Sequence, residues 1–152
     1  MGGDLSSSAH IALGVTALGN LSGRPAITRA GARIGDQVAV CGRLGCSAGG
    51  LLVLQRGFGS PKDLVLEQQC PTVPYGQGKV AAEAGATAMI DVSDGLLQDL
   101  GHICELSGVG IDVRTEALRV HDSLARLAAA TGKDPLGFIL AGGEDHALVA
   151  TF

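Results

Sequence analysis

The apolar positions of this chain fall into short blocks separated by glycine-rich turns. Ile11, Leu13, Val15 and Leu18, spaced by small residues, predict a long strand from His10 to Leu18. Gly19-Asn20-Leu21-Ser22-Gly23-Arg24-Pro25 is turn chemistry and marks a boundary. Gly35-Asp36 then turns the chain into a strand from Gln37 to Gly42, and a helix is expected from about Ala48 to Arg56. Lys62 to Gln69 is a short mixed segment, broken by Cys70-Pro71-Thr72-Val73-Pro74-Tyr75-Gly76. Gly78 to Ala84 reads as a small-residue helix closed by Gly85. Leu96, Leu97, Leu100, Ile103 and Cys104 recur at helical spacing until Ser107-Gly108, with Asp99 and His102 off that stripe and therefore expected in solvent. A short strand over Val109–Val113, an alanine-rich helix from Ser123 to Thr131 and a final strand from Ala147 to Phe152 complete the pattern.

The stretch that organises the rest is Ala88-Met89-Ile90-Asp91-Val92-Ser93-Asp94-Gly95-Leu96-Leu97. An apolar strand ends in two carboxylates and a hydroxyl within four residues, and a glycine opens a helix. Two readings stay open on the pattern alone. The carboxylates can hold a hard cation through oxygen, with the helix offering unpaired N–H groups and a positive dipole end to phosphate, which suits phosphoryl transfer on a magnesium–nucleotide complex. Alternatively this is a buried strand before a well-capped helix, since Ser93 and Asp94 are both good N-caps.

A second acidic turn, Ala141-Gly142-Gly143-Glu144-Asp145-His146, stands at the mouth of the last strand, with a hairpin or bulge bearing exposed acids as the plain alternative. Arg24, Arg29 and Arg33 fall within ten residues. A planar guanidinium pairs two phosphate oxygens at once, so one of them could reach a triphosphate while the others serve as surface cations. Gly42-Arg43-Leu44-Gly45-Cys46-Ser47-Ala48-Gly49-Gly50 is not a Walker A loop, because no Gly-Lys-Ser/Thr follows. Ser47 is read as a helix cap, and the glycines as close packing of helix on sheet or, second, as phosphate contacts. Asp4, on a Gly-Gly-Asp turn, reads as a metal ligand or as a solvated acid near a terminus.

Composition narrows the classes. At 152 residues and 46% hydrophobic, the chain is the length of one domain with a substantial core. Aromatics make up 3% and tryptophan is absent, which argues against single-stranded nucleic-acid binding; the net charge of −4 argues against a polyanion held on a broad basic surface. No apolar run is long enough to span a bilayer and no signal-peptide pattern opens the chain, so the expectation is a cytoplasmic protein without membrane partners. Cys41, Cys46, Cys70 and Cys104 form no CxxC pair and read as free thiols.

Gly-Gly-Asp followed by serines, Thr-Arg-Ala-Gly-Ala with Gly-Asp after it, and Cys-Ser-Ala-Gly-Gly-Leu occur in this order. Ile-Asp-Val-Ser-Asp-Gly-Leu-Leu-Gln-Asp-Leu-Gly-His-Ile and Ala-Gly-Gly-Glu-Asp-His-Ala-Leu follow. Together they resemble the thiamine-monophosphate kinase family, of the aminoimidazole ribonucleotide synthetase-like superfamily. The resemblance runs through essentially the whole chain, and the Asp-Val-Ser-Asp-Gly and Gly-Gly-Glu-Asp blocks are its specific parts. It implies phosphorylation of thiamine phosphate to thiamine diphosphate with ATP and magnesium, by direct transfer with no catalytic nucleophile on the protein. It implies Asp4, Asp91 and Asp94 as magnesium ligands, Arg29 and Ser93 as ATP contacts, and Glu144 as a contact to thiamine phosphate.

The implied fold is α+β: a mixed β-sheet layered with α-helices, the C-terminal domain of the superfamily, plus a β remnant of the N-terminal domain. Residues 1–25 would be the remnant of the nucleotide-binding, dimerising N-terminal domain, and 26–152 the C-terminal domain without its final segment. The chain is thus expected to be truncated at both ends, to belong to a homodimer when intact, and not to be fully active alone. Two rivals accompany this reading: another ATP-dependent enzyme of the superfamily, and a non-catalytic dimerisation or binding fragment.

Overall fold

Three of the apolar runs meet in one sheet. In the computed structural model, which describes residues 9–152, they form β1 (Val38–Cys41), β2 (Ala88–Val92) and β3 (Ala147–Thr151). Strand β3 lies in the middle and pairs antiparallel with both neighbours, so every described strand pairing is antiparallel. The register sets Val38 and Ala88 opposite Thr151, and Asp91 and Val92 opposite Leu148 and Ala147. The acidic end of β2 therefore lies beside the start of β3, where the second acidic turn enters.

Six α-helices accompany this sheet among the described residues: α1 (Cys46–Gln55), α2 (Lys62–Gln69), α3 (Gln77–Glu83), α4 (Leu96–Ser107), α5 (Asp122–Thr131) and α6 (Pro135–Ala141). Their shared core holds Val53, Leu64, Leu96, Ile103, Leu124 and Ile139 with the sheet residues Ala88, Val92 and Val149, nearly all without solvent contact. Burying a side chain of this size is worth about 1.5–3 kcal/mol, so α4, α5 and α6 are held by these anchors rather than by intrinsic helix propensity.

The glycines of the 42–50 turn do allow close packing, but as much helix on helix as helix on sheet. A Cβ on Gly42 would meet Ala147 of β3 at 2.8 Å, one on Gly49 would meet Leu124 of α5 at 2.9 Å, and one on Gly50 would run into the Leu64 carbonyl of α2. Helix α1 can lie so close to α2 and α5 because Gly49 and Gly50 carry no side chain at the points of contact.

Three expectations are corrected, and one helix is added to them. The strand from His10 to Leu18 is not formed: Ile11, Leu13, Val15 and Leu18 are at least 90% exposed, and no strand pairs with them among the described residues. Strand propensity is realised through ladder partners and a face to pack on, and neither is present there. Val109–Val113 is likewise not a strand, although burial alternates along it, with Val109, Ile111 and Val113 half-buried and Gly110 and Asp112 exposed. The segment at 62–69 is a full helix, α2. Residues 135–141 form α6, started by Pro135 at its first position and by the Asp134 side chain, which accepts from the Leu136 amide at 2.9 Å.

The four cysteines are free, as expected. Burial pushes the Cys46 thiol up to about 12, which leaves it inert at neutral pH. No helix among the described residues is long and apolar enough to cross a membrane.

Candidate active site

Strand β2 is buried at Ala88 and Val92 and exposed at Asp91, as the two-residue period of a strand requires when one face is covered. Beyond Val92 the chain turns through Ser93, Asp94 and Gly95 into α4. Gly95 adopts φ +125°, a conformation that L side chains rarely adopt, and a Cβ there would sit 3.1 Å from the Ala141 carbonyl. The side chains of Asp91 and Asp94 are exposed, and neither takes part in an ion pair among the described residues.

These groups share an open depression of about 500 Å³, lined by Thr28, Arg29, Met89, Ile90, Asp91, Ser93, Asp94, Asp99 and His102. Four of the residues named from the sequence, Arg29, Asp91, Ser93 and Asp94, thus converge, with Arg29 arriving from a loop about sixty residues earlier in the chain. That loop is tied down from α4: the Ser107 hydroxyl donates to the Arg29 carbonyl at 2.9 Å and accepts the Gly31 and Ala32 amides at 3.1 and 3.2 Å. Met89 also donates its amide to the Thr28 carbonyl at 3.0 Å, fixing the loop along β2. Asp4 lies outside the described residues. Of the other two arginines, Arg24 pairs with Glu83 in an exposed bridge of 3.1 Å, worth little to stability. Arg33 lies outside this depression.

Glu144 arrives by a different route. The acidic turn before β3 lies along the end of β2: the Glu144 amide donates to the Ser93 carbonyl at 2.8 Å, and the His146 amide to the Val92 carbonyl at 2.9 Å. Glu144 and His146 both have positive φ, 63° and 50°. Gly143 is required by crowding, since a Cβ there would stand 2.5 Å from the Ser93 carbonyl. The Glu144 side chain is exposed, with its nearest ionic neighbour His146 Nε2 at 3.5 Å, and it does not line the depression. The turn anchors the Glu144 backbone at the rim of the site, beside Ser93, and leaves its carboxylate exposed.

The caps differ from the sequence reading. Helix α4 is not capped by the side chains of Ser93 or Asp94; its N-cap is Gly95, and the amides of Ser93, Asp94 and Gly95 all donate to Asp99 Oδ2, at 3.0, 3.1 and 3.1 Å. Asp99, expected in solvent, is 2% exposed, and His102 is half-buried beside it. Asp99 thus occupies the Gly95 amide at the head of α4 and two amides of the preceding turn, and these three are not free for phosphate. Their signal in the sequence is weak: a reach-back acid is recognised as a capping box three residues after the cap, and Asp99 stands further along.

Ser47 does not cap α1 either. Its hydroxyl donates to Gln68 Oε1 at 2.9 Å, while the carboxylate of Asp145 accepts the Gly45 amide at 2.6 Å and the Ser47 amide at 3.0 Å. The acid next to Glu144 is thus a buried latch between the second acidic turn and α1. Burial pushes its carboxyl up to about 6 from 3.8, outweighing the amide bonds that favour the charged form. The folded protein holds this proton more tightly than the unfolded chain. The resulting stability is complete below about pH 3.8 and is lost as pH rises toward 6. Between pH 4 and 7, urea denaturation of the Asp145→Asn variant will lack that decline, so its stability relative to wild type shifts by about 2–3 kcal/mol across the window. A constant difference between the two proteins would exclude the raised carboxyl.

The donor set at the depression suits a divalent ion of the hard, oxygen-preferring kind: two exposed carboxylates, unpaired by any cation among the described residues, and a hydroxyl. Oxygen and nitrogen atoms of Asp94, Asp99 and His102 also lie within 4.8 Å of one another, so the negative charge is concentrated on the α4 side.

Residues 33–144 match the family described as AIR synthase related protein, C-terminal domain. Thiamine-monophosphate kinase of Mycobacterium tuberculosis (strain CDC 1551 / Oshkosh) is 49% identical over 153 aligned residues, covering 100% of this chain and 46% of that protein. The Corynebacterium glutamicum enzyme of the same name is 41% identical, covering 99% of this chain and 47% of that protein. The chain therefore spans about half the length of these curated relatives. Among solved structures, thiamine monophosphate kinase from Aquifex aeolicus superposes with a TM-score of 0.77 at 35% identity, over 82% of this chain and 43% of that one. A structure of AaThiL complexed with AMPPCP and TMP gives 0.76 at 36% identity, over 82% and 41%. The chain belongs to the AIR synthase-related protein family and carries that family's C-terminal domain over residues 33–144.

Proposed function

We propose that this chain supplies the metal-binding and part of the nucleotide- and substrate-binding surface of a thiamine-phosphate kinase. The observation that carries the reading is the convergence of Arg29, Asp91, Ser93 and Asp94 on one depression, with Glu144 anchored to its rim. Support comes from the likeness to thiamine-monophosphate kinases and from the relative solved with AMPPCP, an ATP analogue, and TMP.

The chemistry follows from charge. ATP and thiamine phosphate are both polyanions, and bringing them together requires cations and orientation more than a nucleophilic side chain. Asp91 and Asp94, together with Asp4, would hold magnesium ions, which would offset the charge of the phosphates. Ser93 and Arg29 contact ATP, the guanidinium by pairing phosphate oxygens. Glu144 at the rim contacts and orients thiamine phosphate. An oxygen of its phosphate forms the new bond to the γ-phosphorus in line as the bond to the β-phosphate breaks, with ADP leaving. In this reading residues 1–25 close the nucleotide-binding, dimerising domain, residues 26–152 form the C-terminal domain, and the assembly is a cytoplasmic homodimer.

The test is a product assay on the natively expressed protein. With magnesium and ATP it should convert thiamine phosphate to thiamine diphosphate with one ADP formed per product. Turnover of formylglycinamidine ribonucleotide in its place would move the protein to a sister enzyme, and no magnesium-dependent ATP binding in calorimetry would leave a non-catalytic fragment.

A further inference from the structure

The turn from Ser93 to Gly95 has its backbone engaged on both sides. Its three amides converge on Asp99 Oδ2, while the carbonyls of Val92 and Ser93 accept the His146 and Glu144 amides. Gly95 O accepts the Asp99 amide at 2.9 Å, so the acid is itself fixed by the turn it holds. With the backbone tied inward, the side chains of Asp91 and Asp94 are left facing outward and Ser93 at the edge of the depression. A buried carboxylate that accepts three amides is a strong and directional restraint, because charge-assisted bonds are about twice as strong as neutral ones.

We infer that Asp99 is the positioning residue of this site: it shapes the Ser93–Gly95 turn so that Asp91 and Asp94 are set to receive a divalent cation, without being a ligand itself. The inference rests on the metal–nucleotide reading above and adds a residue that reading does not use. All three bonds end on one oxygen. An asparagine can place its carbonyl oxygen at that point and keep the turn, whereas alanine removes it.

The experiment is Mn2+ titration of the natively expressed protein, followed by electron paramagnetic resonance, with wild type, Asp91→Ala, Asp99→Asn and Asp99→Ala. Near-UV circular dichroism establishes that each variant is folded. Outer groups that orient metal ligands are typically worth about 10–100-fold in affinity. Asp99→Ala should weaken Mn2+ binding by that factor, and Asp99→Asn should stay within about threefold of wild type. Equal losses in the two variants would make Asp99 a charge-bearing ligand and overturn the positioning role, as would wild-type affinity in a folded Asp99→Ala. If wild type binds no Mn2+, or Asp91→Ala binds it as wild type does, the metal reading itself fails and the inference falls with it. Should Asp99→Ala not fold, hydrogen exchange in wild type decides. Amides 93–95 exchanging as slowly as the interior of α4 support the restraint, and rapid exchange overturns it.

Discussion

Replacing Asp91 by alanine in the natively expressed protein should abolish phosphorylation of thiamine phosphate while leaving the fold intact. The asymmetry follows from the position of the residue. Asp91 is on the exposed face of β2, in no ion pair among the described residues, so its removal empties no core and orphans no partner. Substitutions of that kind usually change stability by about 0.5 kcal/mol or less. Its proposed function is to hold a cation between two polyanions, and that stabilisation is worth several kcal/mol at the transition state. A loss of about 4 kcal/mol corresponds to a rate reduction of about a thousandfold. Asp91→Asn should be almost as inactive, because the amide keeps the shape and loses the charge. Near-wild-type turnover by either folded variant would remove the metal role from this residue.

The second large effect concerns the fold and has opposite signs at two glycines, both within helices. A methyl group on Gly50 would be driven into the backbone carbonyl of Leu64, and backbone cannot rotate away as a side-chain end can. Gly50→Ala should therefore destabilise by about 2–3 kcal/mol, the usual cost of overpacking at a tight helix contact, despite alanine's better helix propensity. Gly101 lies on the exposed side of α4, and a methyl group added there would have nothing within 4 Å. Gly101→Ala should stabilise by about 0.5–1 kcal/mol. Urea denaturation of the two variants checks the pair; a stabilised Gly50→Ala would mean that α1 and α2 do not approach as closely as described.

The same contrast between local and distant causes explains what could be read from the sequence. Asp91, Ser93 and Asp94 were legible because a strand, a turn and a helix head are contiguous, and the spacing alone puts their side chains together. Glu144 was legible as part of a second acidic turn, though not its rim position, which depends on amide bonds to residues 92 and 93. Asp99 was misplaced, and the latch made by Asp145 was not legible, for one reason. Each is an acid whose burial depends on backbone amides folding onto it, and hydrophobic spacing, which put Asp99 in solvent, cannot show that. The helix at 135–141 carries a usable signal in Asp134-Pro135, a cap followed by a first-turn proline. The runs at 10–18 and 109–113 have the right residues for strands and lack partners among the described residues. Composition carries propensity, whereas a strand needs a neighbour.

The most direct measurement of the central claim is anomalous diffraction from crystals of the natively expressed protein grown with Mn2+ and a non-hydrolysable ATP analogue. Anomalous peaks within coordination distance of the Asp91 and Asp94 carboxylates, bridged to the analogue's phosphates and with Asp99 still turned inward to the amides, are the predicted result. A bound analogue whose metal ions lie elsewhere, with both carboxylates facing only water, would contradict the account.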